Sequence, residues 1–177
     1  DNRRTRLVLL AKNYDGYKNL IGLVTDSYFE GFYYKPRIDK ELIEKYNQNL
    51  VCIAPSFSSD ISQALKARNI DKAKEAIEFY KKAYGSDNFF IEITRHPEIE
   101  GHEGLMQQLI KLAKETNTQI VAGHDVYYLH PEDRTARDTL MLVNTSGDMS
   151  DKGTDNEDED FSFISPERAE ELFHDIP

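Results

Sequence analysis

His124 and Asp125 follow directly on a short apolar run, Ile120-Val121-Ala122, that breaks at Gly123. A strand that ends by presenting an imidazole and a carboxylate can build a site, because in parallel α/β sheets the working groups gather at the carboxyl ends of strands. The same residues also read as a turn capped by Asp125 beside a surface histidine. His96 ends a second run, Phe89 to Thr94, and Ser56 follows a third, Leu50 to Ala54, which Pro55 stops. Glu92 lies inside its run between Ile91 and Ile93. Alternation puts its carboxylate on the face opposite both, where it needs a partner. Histidine and carboxylate together suit Zn²⁺, Mn²⁺ or Fe²⁺. A metal so held lowers the pKa of a bound water and polarises a phosphate ester. His96 and Asp125 are the strong ligands, with Glu92 and His124 as further candidates. Two are fewer than the three or four that a protein normally supplies. Phosphate loops, a nucleophile elbow and an H-E-x-x-H zinc motif are all absent from the sequence, and no residue is assigned a catalytic role.

The elements that must position these groups alternate. Arg6 to Lys12, Leu50 to Ala54, Phe89 to Thr94 and the run into Gly123 read as strands. Helices are expected over Tyr14 to Glu30, with Tyr17, Leu20, Ile21, Val24 and Tyr28 on one face and Gly31 as the stop. Further helices are expected over Lys40 to Tyr46 (capped by Asp39), Ile61 to Arg68 (capped by Ser59 or Asp60) and Asp71 to Tyr84 (stopped by Gly85). Three more follow: Glu103 to Glu115, Pro131 to about Thr145 with Ala136, Leu140 and Val143 on one face, and Ser165 to about His174. Strands alternating with helices argue for a parallel sheet, a partial barrel or an open α/β sheet. The loop GFYYKPRID is aromatic and basic. It could stack a nucleic acid strand, or pack its rings on a neighbouring element. The run 148–160, DMSDKGTDNEDED, lacks calcium-loop spacing and reads as an acidic, flexible, solvated loop.

The totals bound the class. The chain has 177 residues, 39% hydrophobic and 31% charged, enough for a single domain over 1–177 with a real core. One cysteine, Cys52, excludes an internal disulfide and a cysteine-based zinc cage, and a cytoplasmic setting fits. No apolar run approaches the roughly 20 residues that span a bilayer, so no membrane association is expected. A net charge of −10 makes strong direct nucleic-acid binding unexpected. The first strand begins almost at Asp1, which reads as a fragment.

The segments LLAKNYDGYKNLIGLV, EGFYYKPRIDKELIEKY, FFIEITRH, VAGHDVYYLHPED and SPERAEELFHDIP carry a resemblance. In content and order the chain resembles the PHP (polymerase and histidinol phosphatase) domain of bacterial DNA polymerase III alpha subunits. The resemblance implies a distorted (β/α)7 PHP-type barrel with parallel strands, of which this chain is the C-terminal part. It implies metal ligands from an early His-x-His, an Asp-His pair and a Glu, then a Cys or His, a His, and a final Asp-x-His. The first three groups lie before this chain begins. His96 matches the family histidine and Asp125 the final aspartate. Ser56 stands at the cysteine position, in A-P-S-F-S-S-D where the family usually reads S-G-C-L-S-G-E. Tyr127 replaces the last histidine, and His124 stands where the family often has Asn.

Serine and tyrosine are weak ligands beside thiolate and imidazole, so Zn or Mn is expected to bind weakly at most. The function implied is a degenerate structural and interaction platform in DNA replication. Its partners would be the remainder of the alpha subunit and the proofreading exonuclease subunit. The alternative is a remnant metal-dependent phosphoesterase or 3′–5′ exonuclease using the strand-end His and Asp. The parent resembles a DNA-directed DNA polymerase, a nucleotidyltransferase, but that chemistry needs carboxylates holding Mg²⁺ in a palm domain that the family places after this segment. Loss of the early barrel strands would leave Arg6 to Lys12 as an exposed edge. Such edges pair with other chains, so self-association is expected.

Overall fold

Leu50–Ala54 (β2) and Phe89–Ile93 (β3) form the centre of the sheet because every second side chain in each is apolar and points the same way. In β2, Leu50, Cys52 and Ala54 are buried, and in β3, Phe89, Ile91 and Ile93 are. The residues between them are half-buried. The two strands run parallel, with Cys52 opposite Phe89 and Ala54 opposite Ile91. The computed structural model describes residues 4–96, 99–145 and 160–176. Within it the chain forms two compact units, one of Asp1–Ile93 with Leu105–Val121 and one of Thr94–Gly104 with Ala122–Pro177.

The first unit carries a four-stranded sheet in the order β1-β2-β3-β4, with Val8–Ala11 as β1 and Gln119–Ala122 as β4. The sheet is mixed. The expected parallel arrangement holds for β2 and β3, but β1 runs antiparallel to β2, with Val8 opposite Ile53 and Ala11 opposite Leu50. The reason lies in the connection. Tyr14–Phe29 (α1) carries the chain away from the end of β1, and residues 45–49 come back along it after Lys40–Lys45 (α2). Asp26 near the far end of α1 accepts from Lys45 Nζ and Tyr46 Oη, both at 2.7 Å. Asn19 donates to the Gln48 carbonyl, and the Lys12 amide donates to the Asn49 carbonyl at 2.9 Å. An excursion that returns to its own starting end reverses the next strand, whereas a single crossover keeps strands parallel.

The same close return explains which side of α1 is buried. Gly16 and Gly22 let the returning segment lie against the helix. A Cβ at Gly16 would overlap the Asn49 carbonyl oxygen, and one at Gly22 would meet the Tyr46 ring. The buried residues of α1 are Gly16, Leu23 and Ser27. Tyr17, Ile21, Val24 and Tyr28 do share one face, as their spacing predicts, and that face is exposed.

Asp26 supplies a pH-dependent contact. Lys45 and Tyr46 hold its carboxyl below the ordinary value of 3.8. A group whose pKa is lowered by folding stabilises the fold above its unfolded value, and that contribution is lost as pH falls through the folded value. The wild type is therefore expected to melt above Asp26→Asn at neutral pH. The difference should close as the pH drops below about 4, read by thermal unfolding at a series of pH values.

Three further helices complete the first unit. Asp60–Lys66 (α3) is capped by the Ser59 hydroxyl, which accepts from the Ser62 amide at 3.1 Å. Ile70–Tyr84 (α4) buries Ala73, Ile77, Tyr80 and Tyr84, and stops at Gly85 with φ 89°, a left-handed conformation that glycine adopts without strain. His102–Glu115 (α5) contributes Leu105, Met106, Leu109 and Leu112 to the core of this unit from its later turns.

The second unit holds Arg134–Thr145 (α6), entered through a 3₁₀ turn at Pro131–Asp133, and Pro166–Phe173 (α7), capped by Ser165. Leu140 and Val143, set on one face of α6 by their spacing, are exposed. The predicted acidic loop 148–160 lies outside the described residues, except for Asp160.

Candidate functional site

Strand geometry places Glu92 as alternation predicts. Ile91 and Ile93 are each 1% exposed while Glu92 projects from the other face, half-buried. Its partner is the neighbouring strand's end. Parallel register puts the residues after Ala54 beside Glu92, and the Ser56 amide donates to Glu92 Oε2 at 3.0 Å. Ser56 itself is buried. A carboxylate that accepts a backbone N–H from a buried residue is satisfied in place. This pair ties the turn after β2 to β3.

The other candidates gather in the second unit. His96 lies just beyond β3, 2% exposed, with Nε2 3.5 Å from Asp125 Oδ2. The imidazole holds the Asp125 carboxyl below the usual carboxylate range. The His124 ring stacks on His96 with centroids 6.0 Å apart, and the His102 ring meets it edge-on at 5.4 Å. A carbonyl oxygen can only accept, so His124 Nε2–H donates to the Ser162 carbonyl at 3.0 Å. His102 Nε2–H likewise donates to the Thr94 carbonyl at 2.9 Å.

Residues 160–163 are what this cluster grips. The Tyr127 amide donates to the Phe161 carbonyl at 2.9 Å, and the Phe163 amide donates to the Tyr128 carbonyl at 3.0 Å. The Phe161 amide donates to Tyr128 Oη at 3.0 Å. Phe161 packs its ring on both His96 (5.1 Å) and Tyr127 (5.0 Å). The guanidinium of Arg137 lies over the Tyr127 ring at 5.0 Å. The segment after Gly123 thus forms a small parallel bridge with Ser162, and the rings fill the space around it.

Sequence reasoning brought His96, His124 and Asp125 forward, and the structure places them together. It missed Phe161 and Ser162, whose aromatic-polar-aromatic run FSF was the available signal for a short extended segment. Arg95 was missed as well. Only 11% of its side chain is exposed, and it pairs with Glu103 and Asp175, both at 2.6 Å. Arg95 draws the Asp175 carboxyl below its ordinary range and anchors the chain beyond α7 to the first turn of α5.

Whether these donors suit the metal cluster of a PHP domain is a question of their chemistry. His96 and Asp125 face each other, His124 is hydrogen-bonded to a backbone carbonyl, and the phenol at 127 is a packing group. Among the described residues, no three or more His, Cys, Asp or Glu side chains converge in a way that could hold a metal ion. The donor set does not fit such a cluster.

Comparison with known proteins gives these positions a context. Residues 1–96 match the PHP domain family. A DNA polymerase III alpha subunit of Borreliella burgdorferi is 38% identical over 172 residues, covering 97% of this chain and 15% of the relative. The corresponding subunit of Campylobacter jejuni is 34% identical over 99% of this chain, and that of Aquifex aeolicus 34% identical over 94%. The chain therefore spans about 15% of the length of such relatives. No described helix is long and apolar enough to cross a membrane. With more than half of its residues inside the family match, this chain belongs to the PHP domain family.

Proposed function

We propose that this chain is the C-terminal part of the PHP domain of a replicative DNA polymerase III alpha subunit, acting in DNA replication in the cytoplasm as a structural and docking platform. In this reading its mixed sheet is a portion of a distorted (β/α)7 barrel. The remainder of the alpha subunit is its first partner and the proofreading exonuclease subunit its second. The relatives support the replication role, since each is a DNA polymerase III alpha subunit.

The platform reading is carried by what the ligand-position residues do. His124, Tyr127 and His96 grip residues 160–163 through a backbone hydrogen bond and ring packing. Ser56 binds Glu92 through its amide. A group turned to packing or bonded to a carbonyl is a poor ligand without rearrangement. One observation favours a second reading. His96 Nε2 lies 3.5 Å from Asp125 Oδ2 with the His124 ring stacked on His96, and a metal taken up by a rearrangement of these side chains would make the site a remnant phosphoesterase.

Calorimetric titration of the chain with Zn²⁺ and Mn²⁺ separates the two, together with assays for phosphomonoester and 3′–5′ exonuclease hydrolysis. The expected result is no stoichiometric binding at tens of micromolar and no metal-dependent hydrolysis. Stoichiometric binding that disappears in His96→Ala overturns the platform reading in favour of the phosphoesterase.

A further inference from the structure

Every apolar side chain from Tyr28 to Arg37, Pro36 apart, is an aromatic ring: Tyr28, Phe29, Phe32, Tyr33 and Tyr34. All five are more than half exposed, Tyr34 at 81% and Phe29 at 83%. Flat rings left in water can stack on any nucleobase, because every base has a π-face. Cations are set among them. Lys35 directly follows Tyr34 and is exposed. The Arg37 guanidinium lies over the Tyr33 ring at 5.1 Å, and its Nη2 donates to the Tyr33 carbonyl at 3.2 Å. We propose that this loop is a stacking surface for single-stranded DNA, on which a base lies against Tyr34 and Lys35 meets an adjoining phosphate. The surface goes beyond the platform reading, and only the choice of DNA over RNA rests on that reading.

The loop's shape is set within the loop. The Tyr33 amide donates to the Lys35 carbonyl at 3.2 Å, which closes the chain around Tyr34. At the base, Gly31 lies against the returning chain, where a Cβ would overlap the Arg37 carbonyl oxygen. Tyr34 takes φ 59°, a left-handed conformation that a bulky side chain adopts only when its surroundings hold it there. Glycine makes the same turn without strain. Tyrosine at the tip works against the turn's own preference, and what it adds is a ring held in solvent.

Charge sets the strength. A net charge of −10 repels phosphates from the chain as a whole, so the contact is local and weak. This stretch is an exception to that balance, since Glu30 is the only carboxylate from Tyr28 to Ile38, against Lys35 and Arg37. Tyrosine and arginine also serve protein contacts, but those centre on anchors packed into pockets. Here the rings stand in succession beside cations with no aliphatic side chain among them, the composition that tracks a single strand by its bases and its backbone together.

The test is titration of the 177-residue chain with an oligothymidylate of about twelve nucleotides, read by the anisotropy of a label on the strand and by protein emission. The chain has ten tyrosines and no tryptophan, so its emission comes from tyrosine and is quenched where a base stacks on an exposed ring. The expected dissociation constant at low salt is on the order of 10⁻⁴ M, the weak end of non-specific binding. Tyr34→Gly removes the ring and suits the backbone, so it should melt no lower than the wild type while weakening binding about tenfold, the loss of one stacked base. Tyr34→Leu keeps bulk without a flat ring and should weaken binding to a similar degree. Lys35→Gln should flatten the salt dependence by about 0.7 in log–log slope, one phosphate contact on a single strand. No binding at millimolar strand overturns the proposal and leaves the rings to a protein contact. Binding that is unchanged in Tyr34→Gly or Tyr34→Leu also overturns it, as does a duplex of the same length bound as tightly as the single strand. An oligouridylate bound more tightly than the oligothymidylate overturns the choice of DNA. None of these outcomes alters the metal titration that tests the platform reading, so the two can fail separately.

Discussion

Phe89→Ala is expected to lower the unfolding free energy by about 3–5 kcal/mol, the range for removing a buried aromatic side chain. Phe89 is fully buried and opens β3 opposite Cys52. Its ring stacks on Tyr80 of α4 with centroids 5.3 Å apart. Tyr80 in turn donates its hydroxyl to Asp60 Oδ2 at 2.9 Å at the start of α3. The ring therefore joins a strand to two helices, and the cavity left by alanine lies where the sheet meets them. Domain stabilities of about 5–15 kcal/mol leave little margin for such a loss, so the variant should be largely unfolded at temperatures where the wild type is folded. Urea denaturation followed by circular dichroism reads the difference. Phe90→Ala is the control. Phe90 is the next residue, half-buried on the other face, and its loss should cost about 1 kcal/mol. Equal costs at 89 and 90 would show that the strand register is wrong.

The contrast between positions 89 and 90 is legible in the sequence itself. The alternation of β2 and β3 is written in LVCIA and FFIEI, because a half-buried strand needs only local periodicity to declare its faces. The caps are equally local. Asp39 accepts from the Leu42 amide at 2.9 Å and Ser165 from Arg168 at 3.2 Å, as the spacing of cap and helix implies. Alternation assigns Glu92 a face but not its partner. The Ser56 amide reaches it only because β2 and β3 are parallel neighbours, and the two residues lie 36 apart in the chain.

Direction and facing are less legible. The reversal of β1 depends on Gly16 and Gly22 admitting residues 45–49 against α1, a contact that no periodicity encodes. The apolar stripe of α1 follows helical spacing well, yet spacing says which residues share a face and not whether that face is covered. The aromatic loop after Gly31 shows the same limit. Phe32, Tyr33 and Tyr34 remain exposed. Tyr33 and Tyr34 meet each other edge-on, and Tyr28 and Phe32 stack, so these rings pack largely among themselves. In the second unit, His124 and Asp125 are visible in the sequence as a strand-end pair. Their engagement with residues 160–163 crosses the acidic run and is written in neither segment alone.

His96→Ala is expected to destabilise the metal-free protein by about 2–4 kcal/mol, and this separates the two functional readings more sharply than metal titration alone. If His96 is a structural group, removing it deletes a buried ring that touches His102, His124 and Phe161 and withdraws the imidazole beside Asp125. The loss should be local. Amides of residues 161 and 163, which donate to Tyr128, should exchange faster, while the β2–β3 ladder of the first unit should keep its protection. If His96 is primarily a ligand, alanine in the metal-free protein should be close to neutral, and the wild type should gain stability over the variant only when Zn²⁺ or Mn²⁺ is added, by mass action on the folded state. Asp125→Asn sharpens the comparison. It keeps the shape of the side chain but removes the charge that His96 faces, so it should reproduce only a small part of the His96→Ala loss, since Asp125 is half exposed. A His96→Ala variant as stable as the wild type without metal, with fully protected amides at 161 and 163, would remove the structural role. The platform reading would then lose the observation on which it rests.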